Sequence, residues 1–400
     1  MEIETGHIYN KLQLNCNSTK KPFGFNVCGF LSKDFGLGFA ARNTVKLLLD
    51  NHFPVSVYDI AISGYSGPKT SVYDSLKSDQ DNPFPYLITI FHVNPNTLPQ
   101  ISAFYEPYSS THINLLVPFW ELEKAPVSWA KMCSFIDYFL APSRFIEKGL
   151  QALFTEKKVL YYQQSYLLPS AITPEREKFG IPSEKLVFFQ SFDIASDIVR
   201  KNPVATINAF YKAFQNDPDV LLILNVNITN NMPVFVNALS KLKEYVSSLA
   251  NIKIYDTNRS YSDVLSLCAS SDVLISLHRA EGLGLSLIEA MVMGKAVITT
   301  GYSGNMDFTG SNNACLVPYE LIPAISPFNP NLSGASLGFD PFWADPDIDL
   351  AARWMCMLRD NSSFLESMQE KAKNSIESFL AESKKASVFF LMKDFLQIQL

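Results

Sequence analysis

The feature that most limits how this chain can fold is a repeated alternation. Short apolar runs rich in β-branched and aromatic residues are separated by amphipathic stretches of helical period. Parallel strands need long crossovers, and helical crossovers cover both faces of the sheet, so the alternation predicts parallel α/β architecture. In the first half, strands are expected near Phe25–Phe30, Val55–Tyr58, Tyr86–Phe91, Ile113–Val117, Tyr138–Ala141 and Val159–Tyr162. Helices are expected over about Leu37–Asn51, Ala125–Cys133 and Ser143–Leu153, the last with Ser143 as N-cap after Pro142. Residues Gln163–Lys185 carry three prolines and no clear period, and read as an interdomain linker. The alternation then restarts, with strands near Leu186–Phe192, Val220–Val226, Ile252–Tyr255, Val273–Leu277, Ala296–Thr300 and Cys315–Val317. A helix is expected over Asn202–Gln215, with Pro203 in its first turn. Ile322–Phe342 reads as a long loop, Asp345-Pro346 as the cap of a following helix, and the chain from Phe364 onward as mostly helical. The expected fold class is α/β, two Rossmann-like domains facing a cleft, divided as 1–180 and 181–382.

Composition agrees and narrows the function. Four hundred residues suit two domains of about 200. With 47% hydrophobic and 18% charged residues the chain buries sizeable cores and is not disordered. A net charge of −6 argues against a general nucleic-acid or anionic-membrane binder. The six cysteines form no CxxC and the five histidines no HExxH, so no metal site is expected. The polar, acidic start MEIETGHIYN is unlike a signal peptide, and no apolar run approaches about 18 residues. The expectation is a reduced, cytoplasmic protein with at most peripheral membrane contact, its oligomeric state left open.

In open parallel sheets ligands bind beyond the carboxyl ends of the strands, so chemistry is sought in the loops that follow them. The strongest candidate is Ser276–Ala290, SLHRAEGLGLSLIEA, which reads as strand end, glycine loop and helix. Backbone N–H groups of such a loop and the helix N-terminus make an anion site. Glu281 in the loop and Glu289 in the first helical turns suit sugar and ribose hydroxyls, and a nucleotide sugar offers hydroxyls flanking a diphosphate. The alternatives are plain. Ser286-x-x-Glu289 fits a capping box, Glu281 fits a solvated loop acid, and His278 fits a packed or solvated histidine. Arg200-Lys201, just before Asn202-Pro203, suits a phosphate or is an ordinary exposed basic pair.

In the first half, Gly36-Leu37-Gly38-Phe39-Ala40-Ala41 fits GxGxxA and opens a helix, and Asp59 follows Ala41 by 18 residues. That pattern supports a second reading, an NAD-dependent oxidoreductase. Leu31–Phe35 separate the strand from the first glycine, so Gly36 and Gly38 are expected in a wider loop facing the cleft. His92 at a strand end suits a general base, an oxyanion partner or a structural histidine. Trp120-Glu121, also after a strand, suit sugar stacking and hydroxyl binding or simply a cleft wall.

Taken together these residues resemble a known family. Glu281-x7-Glu289, followed by Gly294-Lys295-Ala296-Val297-Ile298 and Tyr302-Ser303-Gly304-Asn305, looks like the donor-site signature of GT-B glycosyltransferases of family 4. Arg200-Lys201-Asn202-Pro203 resembles that family's diphosphate-binding segment. Gly36-Leu37-Gly38, His92-Val93-Asn94, Phe119-Trp120-Glu121-Leu122-Glu123, Ala141-Pro142-Ser143-Arg144-Phe145 and Trp343-Ala344-Asp345-Pro346 resemble segments of its bacterial surface-polysaccharide members, of mannosyl- and rhamnosyltransferase type. The resemblance implies a GT-B fold whose last helix, about 383–400, crosses back onto the first domain. It implies retaining sugar transfer from a UDP-, GDP- or dTDP-sugar to a glycan, lipid-linked or protein acceptor, with no required metal or other cofactor. Glu289 would hold the ribose, Glu281 the donor sugar, with His278 beside them. Lys201 and Arg200 would hold the diphosphate, and Gly282, Leu283, Gly284 and Leu285 would bind phosphate or sugar oxygens. Gly36, Gly38, Trp120 and Glu121 would line the acceptor side, with His92 near the reacting centre. Related sequences often place an arginine just after the first donor-domain strand. Here that stretch is Phe188-Phe189-Gln190-Ser191-Phe192-Asp193, with no basic residue before Arg200. A non-catalytic nucleotide-sugar-binding subunit is a further alternative.

Overall fold

The computed structural model describes residues 21–163, 166 and 172–385. Twelve strands form two parallel sheets. The first contains β1 (Phe25–Gly29), β2 (Val55–Asp59), β3 (Ile88–His92), β4 (Ile113–Leu116), β5 (Tyr138–Ala141) and β6 (Lys158–Tyr161), in the order β2-β1-β3-β4-β5-β6. The second contains β7 (Leu186–Asp193), β8 (Val220–Asn227), β9 (Ile252–Tyr255), β10 (Val273–Ser276), β11 (Ala296–Thr300) and β12 (Cys315–Val317), in the order β12-β11-β10-β7-β8-β9. Every pairing within the two sheets is parallel. Helices cover both faces, so strands such as β8, VLLILNVN, are buried at every position but the last. Each sheet has its own apolar cores, Phe25, Val57 and Leu115 lying in one and Phe188, Leu222 and Met355 in another.

Strand order reverses once in each sheet, between β1 and β3 in the first and between β7 and β10 in the second. At such a switch point the outgoing chains diverge to opposite faces and leave a crevice. The loops after β1, β3, β7 and β10 carry Gly36, Asn94, Lys201 and Glu281, and all four residues line one cleft between the domains.

Several contacts hold the two domains face to face. Ser143 Oγ accepts from Ile146 N at 3.3 Å, capping the helix Arg144–Leu153, and donates to the Gly282 carbonyl at 2.6 Å. Arg144 N reaches the Asp307 carboxylate at 2.9 Å, and Ser66 N reaches the Thr229 carbonyl at 3.1 Å. Just past β6, Gln163 Nε2 donates to the Phe379 carbonyl of the long helix Ser362–Lys385 at 2.7 Å. The helix expected at about 383–400 lies, from residue 386 on, outside the described residues.

The structure corrects two local readings. Asp345-Pro346 does not cap a helix. It ends β14 (Phe342–Pro346), which pairs antiparallel with β13 (Tyr319–Pro323). The N-cap is Asp347, whose carboxylate accepts from Leu350 N. The expected loop Ile322–Phe342 is borne out: its ends belong to β13 and β14, and the rest is the long connection between them, with one short helix, Gly334–Leu337. A helix over Leu98–Ser109, with Pro99 in its first turn and Pro107 near its end, was not expected because the two prolines break its pattern.

Candidate active site

The segment between β7 and the helix Pro203–Phe214 is a tight double turn. Asp197 has φ 68° and its side chain accepts from Val199 N and Arg200 N, opening the short helix Ile198–Lys201. Asn202, φ 52°, closes that helix and caps the next through Ala205 N. Asp and Asn tolerate this left-handed region better than other non-glycine residues, and backbone strain of this kind is characteristic of functional sites. The turn places Arg200 and Lys201 beyond the end of β7.

The two basic residues do different things. Lys201 Nζ lies 2.5 Å from Glu281 Oε1 and lines the cleft. Arg200 is 7% exposed and donates to the Ala280 and Ser196 carbonyls at 2.9 and 2.8 Å. Its guanidinium also stands 3.5 Å from Glu121, of the first domain, and 3.6 Å from Glu281. Arg200 thus lines the cleft as a mostly buried staple between two carboxylates, and Lys201 is the more exposed of the two cations there. Burial alone would raise the Glu281 pKa; Lys201 and Arg200 outweigh it and hold the carboxyl down at about 2.

The glycine loop after β10 is shaped from behind. Glu281 N donates to Ser303 Oγ at 2.8 Å, and Gly304 N donates to the Glu281 carbonyl at 2.9 Å. A Cβ on Gly304 would lie 2.1 Å from the Gly282 carbonyl oxygen, so only glycine permits this approach. Gly284, at φ 97°, is the N-cap of the helix Leu285–Val292, with no side-chain cap. The capping box Ser286-x-x-Glu289 therefore does not form. Both residues lie inside the helix, and Glu289 points its bonds elsewhere. Its Oε1 accepts from the hydroxyls of Tyr166 at 2.5 Å and Tyr261 at 2.8 Å. Burial raises the Glu289 pKa, and the two phenol hydrogen bonds oppose it in part.

The cleft has a volume of about 570 Å³. Lys201, Glu281, Gly282–Leu285 and Glu289 line it from the second domain, and Gly36, Trp120 and Glu121 from the first. Gly36 faces Leu285 across the cleft, and Gly282 packs on the backbone of Trp120. Gly38, His92 and His278 do not line it. Gly38 sits beneath the Lys33 carbonyl. Both histidines are fully buried; desolvation pulls His92 down to about 3 and His278 to about 4, leaving neutral rings. Among the described residues neither ring nitrogen of His92 has a hydrogen-bond partner.

Two other lining residues, Arg42 and Arg259, were not read from the sequence. Arg42 and Arg259 add cations from outside the motifs, Arg42 paired with Asp34 at 2.8 Å and Arg259 stacked 4.9 Å over the Tyr255 ring. Asp193, at the end of β7, also lines the cleft. Its carboxylate accepts from Ala195 N at 2.8 Å and from the Thr229 hydroxyl, and burial raises its pKa. Trp343, of the hairpin, closes one wall. The Asp59 carboxylate, the ribose acceptor of the dinucleotide reading, is taken by Lys33 Nζ at 3.1 Å and Ser32 N at 3.0 Å. Among the described residues no helix is long and apolar enough to cross a membrane.

Residues 172–321 match the family model described as glycosyl transferases group 1. Comparison with curated proteins by sequence gives no match. Among solved structures, sucrose-phosphate synthase from Thermosynechococcus elongatus superposes with a TM-score of 0.65, covering 94% of this chain and 100% of that one at 11% identity. Anabaena Alr3699/HepE, solved with UDP and glucose, gives 0.62 over 93% and 100% at 14% identity. The pneumococcal O-GlcNAc transferase GtfA, solved with UDP and GlcNAc, gives 0.54 over 77% of this chain at 14% identity, and this chain spans 57% of its length. At such identities the likeness is one of fold. The chain is a two-domain α/β protein of the GT-B fold, and its second sheet with the glycine loop carries the group 1 glycosyl transferase pattern.

Proposed function

We propose that the protein is a retaining glycosyltransferase of family 4 type, taking its sugar from a nucleoside-diphosphate donor. In this reading residues 181–382 bind the donor and residues 1–180 the acceptor, a glycan, lipid-linked or protein-linked. Glu289 holds the ribose and Glu281 the donor sugar. Lys201, held in place by the Arg200 staple, meets the diphosphate together with the N–H groups at the start of the helix Leu285–Val292. Trp120 and Glu121 form the acceptor wall, and Gly36 lets the acceptor approach. His92 and His278 stand behind the site as buried, neutral supports. Structural neighbours solved with UDP and a sugar favour a nucleotide-sugar donor. Mannosyl or rhamnosyl transfer in surface-polysaccharide assembly, on the cytoplasmic side with peripheral membrane contact at most, extends the resemblance one step further.

The observation that carries this reading is the Lys201–Glu281 pair, 2.5 Å apart and lining the cleft at the switch point of the second sheet. As the glycosidic bond breaks, negative charge grows on the leaving diphosphate. An ammonium and a helix N-terminus already in place stabilise that charge more in the transition state than in the ground state. Closure of the two domains aligns the acceptor hydroxyl and excludes water. No cofactor beyond the donor belongs to this scheme.

Calorimetry with UDP, GDP, dTDP and NAD tests it. One nucleoside diphosphate is expected to bind, and Glu289→Ala to weaken it by about 1–3 kcal/mol. Binding of NAD that ignores Glu289 would move the site to the first domain. Binding without turnover of any sugar donor would favour the non-catalytic subunit.

A further inference from the structure

The carboxylate of Glu289 is not evenly available. Tyr166 and Tyr261 both place hydroxyls on Oε1, at 2.5 and 2.8 Å, and the two hydroxyls are 2.7 Å from each other. Phe39, from the first domain, packs against both phenol rings, with centroids 5.0 and 4.8 Å away. A carboxylate oxygen offers about two lone-pair sites, so the phenols fill Oε1. Oε2 takes no hydrogen bond among the described residues, and it is not one of the buried atoms left without a partner. Glu289 itself lines the cleft, so Oε2 is the oxygen left for a ligand.

We propose that Tyr166 and Tyr261 make Glu289 a one-oxygen acceptor, so that the cleft binds 2′-deoxyribonucleoside diphosphates about as well as ribonucleoside diphosphates. The inference rests on the reading of Glu289 as the residue that meets the nucleoside sugar. A carboxylate with both oxygens open grips a vicinal diol with one oxygen per hydroxyl. Removing the 2′ hydroxyl then strands one desolvated oxygen, which is where the discrimination comes from. Here Oε1 keeps its phenols whether or not the 2′ hydroxyl is present, and the 3′ hydroxyl common to both nucleosides satisfies Oε2. The two tyrosines are positioning residues. They set which donor class enters, and deoxythymidine-type donors fall within it.

The test is a pair of calorimetric titrations on the full chain, UDP against dUDP and GDP against dGDP, for wild type, Tyr261→Phe and Tyr166→Phe. For whichever base binds, the wild type is expected to hold the ribo and deoxy forms within about threefold. Either phenylalanine variant frees a lone pair on Oε1, and the ribo preference is expected to rise to about tenfold, the effect of roughly one hydrogen bond. Loss of the hydroxyl as a packing defect would weaken both ligands equally and leave their ratio unchanged, which overturns the proposal. A wild-type ribo preference of about tenfold or more overturns it as well, and needs no variant to fold. Absence of binding by all four diphosphates overturns the donor-site reading itself, and this inference with it.

Discussion

The loops after β1 and β10 are built alike, each running from a buried strand through glycines into a helix start. Their charges are arranged differently. After β1, Lys33 is 7% exposed and reaches Asp59 at 3.1 Å, the Ile60 carbonyl at 2.9 Å and Ser32 Oγ at 2.7 Å. All of these partners belong to the same corner of the first domain, and Lys33 does not line the cleft. After β10, Glu281 takes its partner from the turn beyond β7, and both members of the pair face the cleft. A glycine pattern marks where backbone comes close. What separates a structural corner from a binding loop is whether the ion pair is spent inside the fold or stands at the cavity.

The largest expected effect tests the second loop. Lys201→Ala should lower kcat by roughly 10²–10³-fold, the range for removing one preorganised group from a developing anion. The denaturation midpoint should move little, since Arg200 still faces Glu281 at 3.6 Å. Turnover at the wild-type rate would remove Lys201 from the reaction. The mirror experiment is Lys33→Ala, which strands the Asp59 carboxylate and should lower stability by about 3 kcal/mol while nucleotide affinity stays put. Urea denaturation and calorimetry on one sample decide it; lost affinity with intact stability would make the first loop a binding loop.

The buried histidines give a smaller contrast between the halves. His92 ends β3 and His278 follows β10, and burial holds them at about 3 and about 4. Unfolded histidine titrates near about 6.5, so below that pH the unfolded chain takes up more protons than the folded one. Their contribution is complete above about pH 6.5 and declines as pH falls towards the folded values, by at most about 1.4 kcal/mol per pH unit for each. Denaturation at pH 7 and pH 5 should show the decline, and His278→Gln should flatten it. The smallest effect belongs to Ser286→Ala. With Gly284 as N-cap, stability should change by less than about 0.5 kcal/mol; a loss of about 1 kcal/mol would restore the capping role.

Much of the fold was legible because it is local. β5, β9, β11 and β12 fall where apolar runs predict them, and Ser143 caps its helix as its position after Pro142 implies. The hairpin of β13 and β14 was hidden by its polar, proline-rich body, and by an Asp-Pro pair that imitates a helix start two residues before the real cap, Asp347. In the cleft, Glu281, Glu289 and Lys201 were legible from motif spacing. Tyr166, 123 residues from the carboxylate it touches, was not. Nor were Tyr261, Phe39, Arg42 and Arg259, because their roles come from tertiary approach and no local pattern announces them. The two cations that sequence reading grouped as one pair, Arg200 and Lys201, separate only when burial and carbonyl partners are seen.

Ser143 shows how motion would reach the chemistry. Its hydroxyl is at once the cap of a first-domain helix and the donor to Gly282, the residue next to Glu281. If the domains swing apart, the cap stays with its helix and the bond to Gly282 breaks. That hydrogen bond contributes only about 1 kcal/mol net, and it stands beside the Arg144–Asp307 and Ser66–Thr229 contacts between the domains. The serine therefore ties a first-domain helix to the glycine loop after β10. Gly282 lies one residue from Glu281, so any change in how the domains meet reaches the loop of the Lys201–Glu281 pair through this hydroxyl.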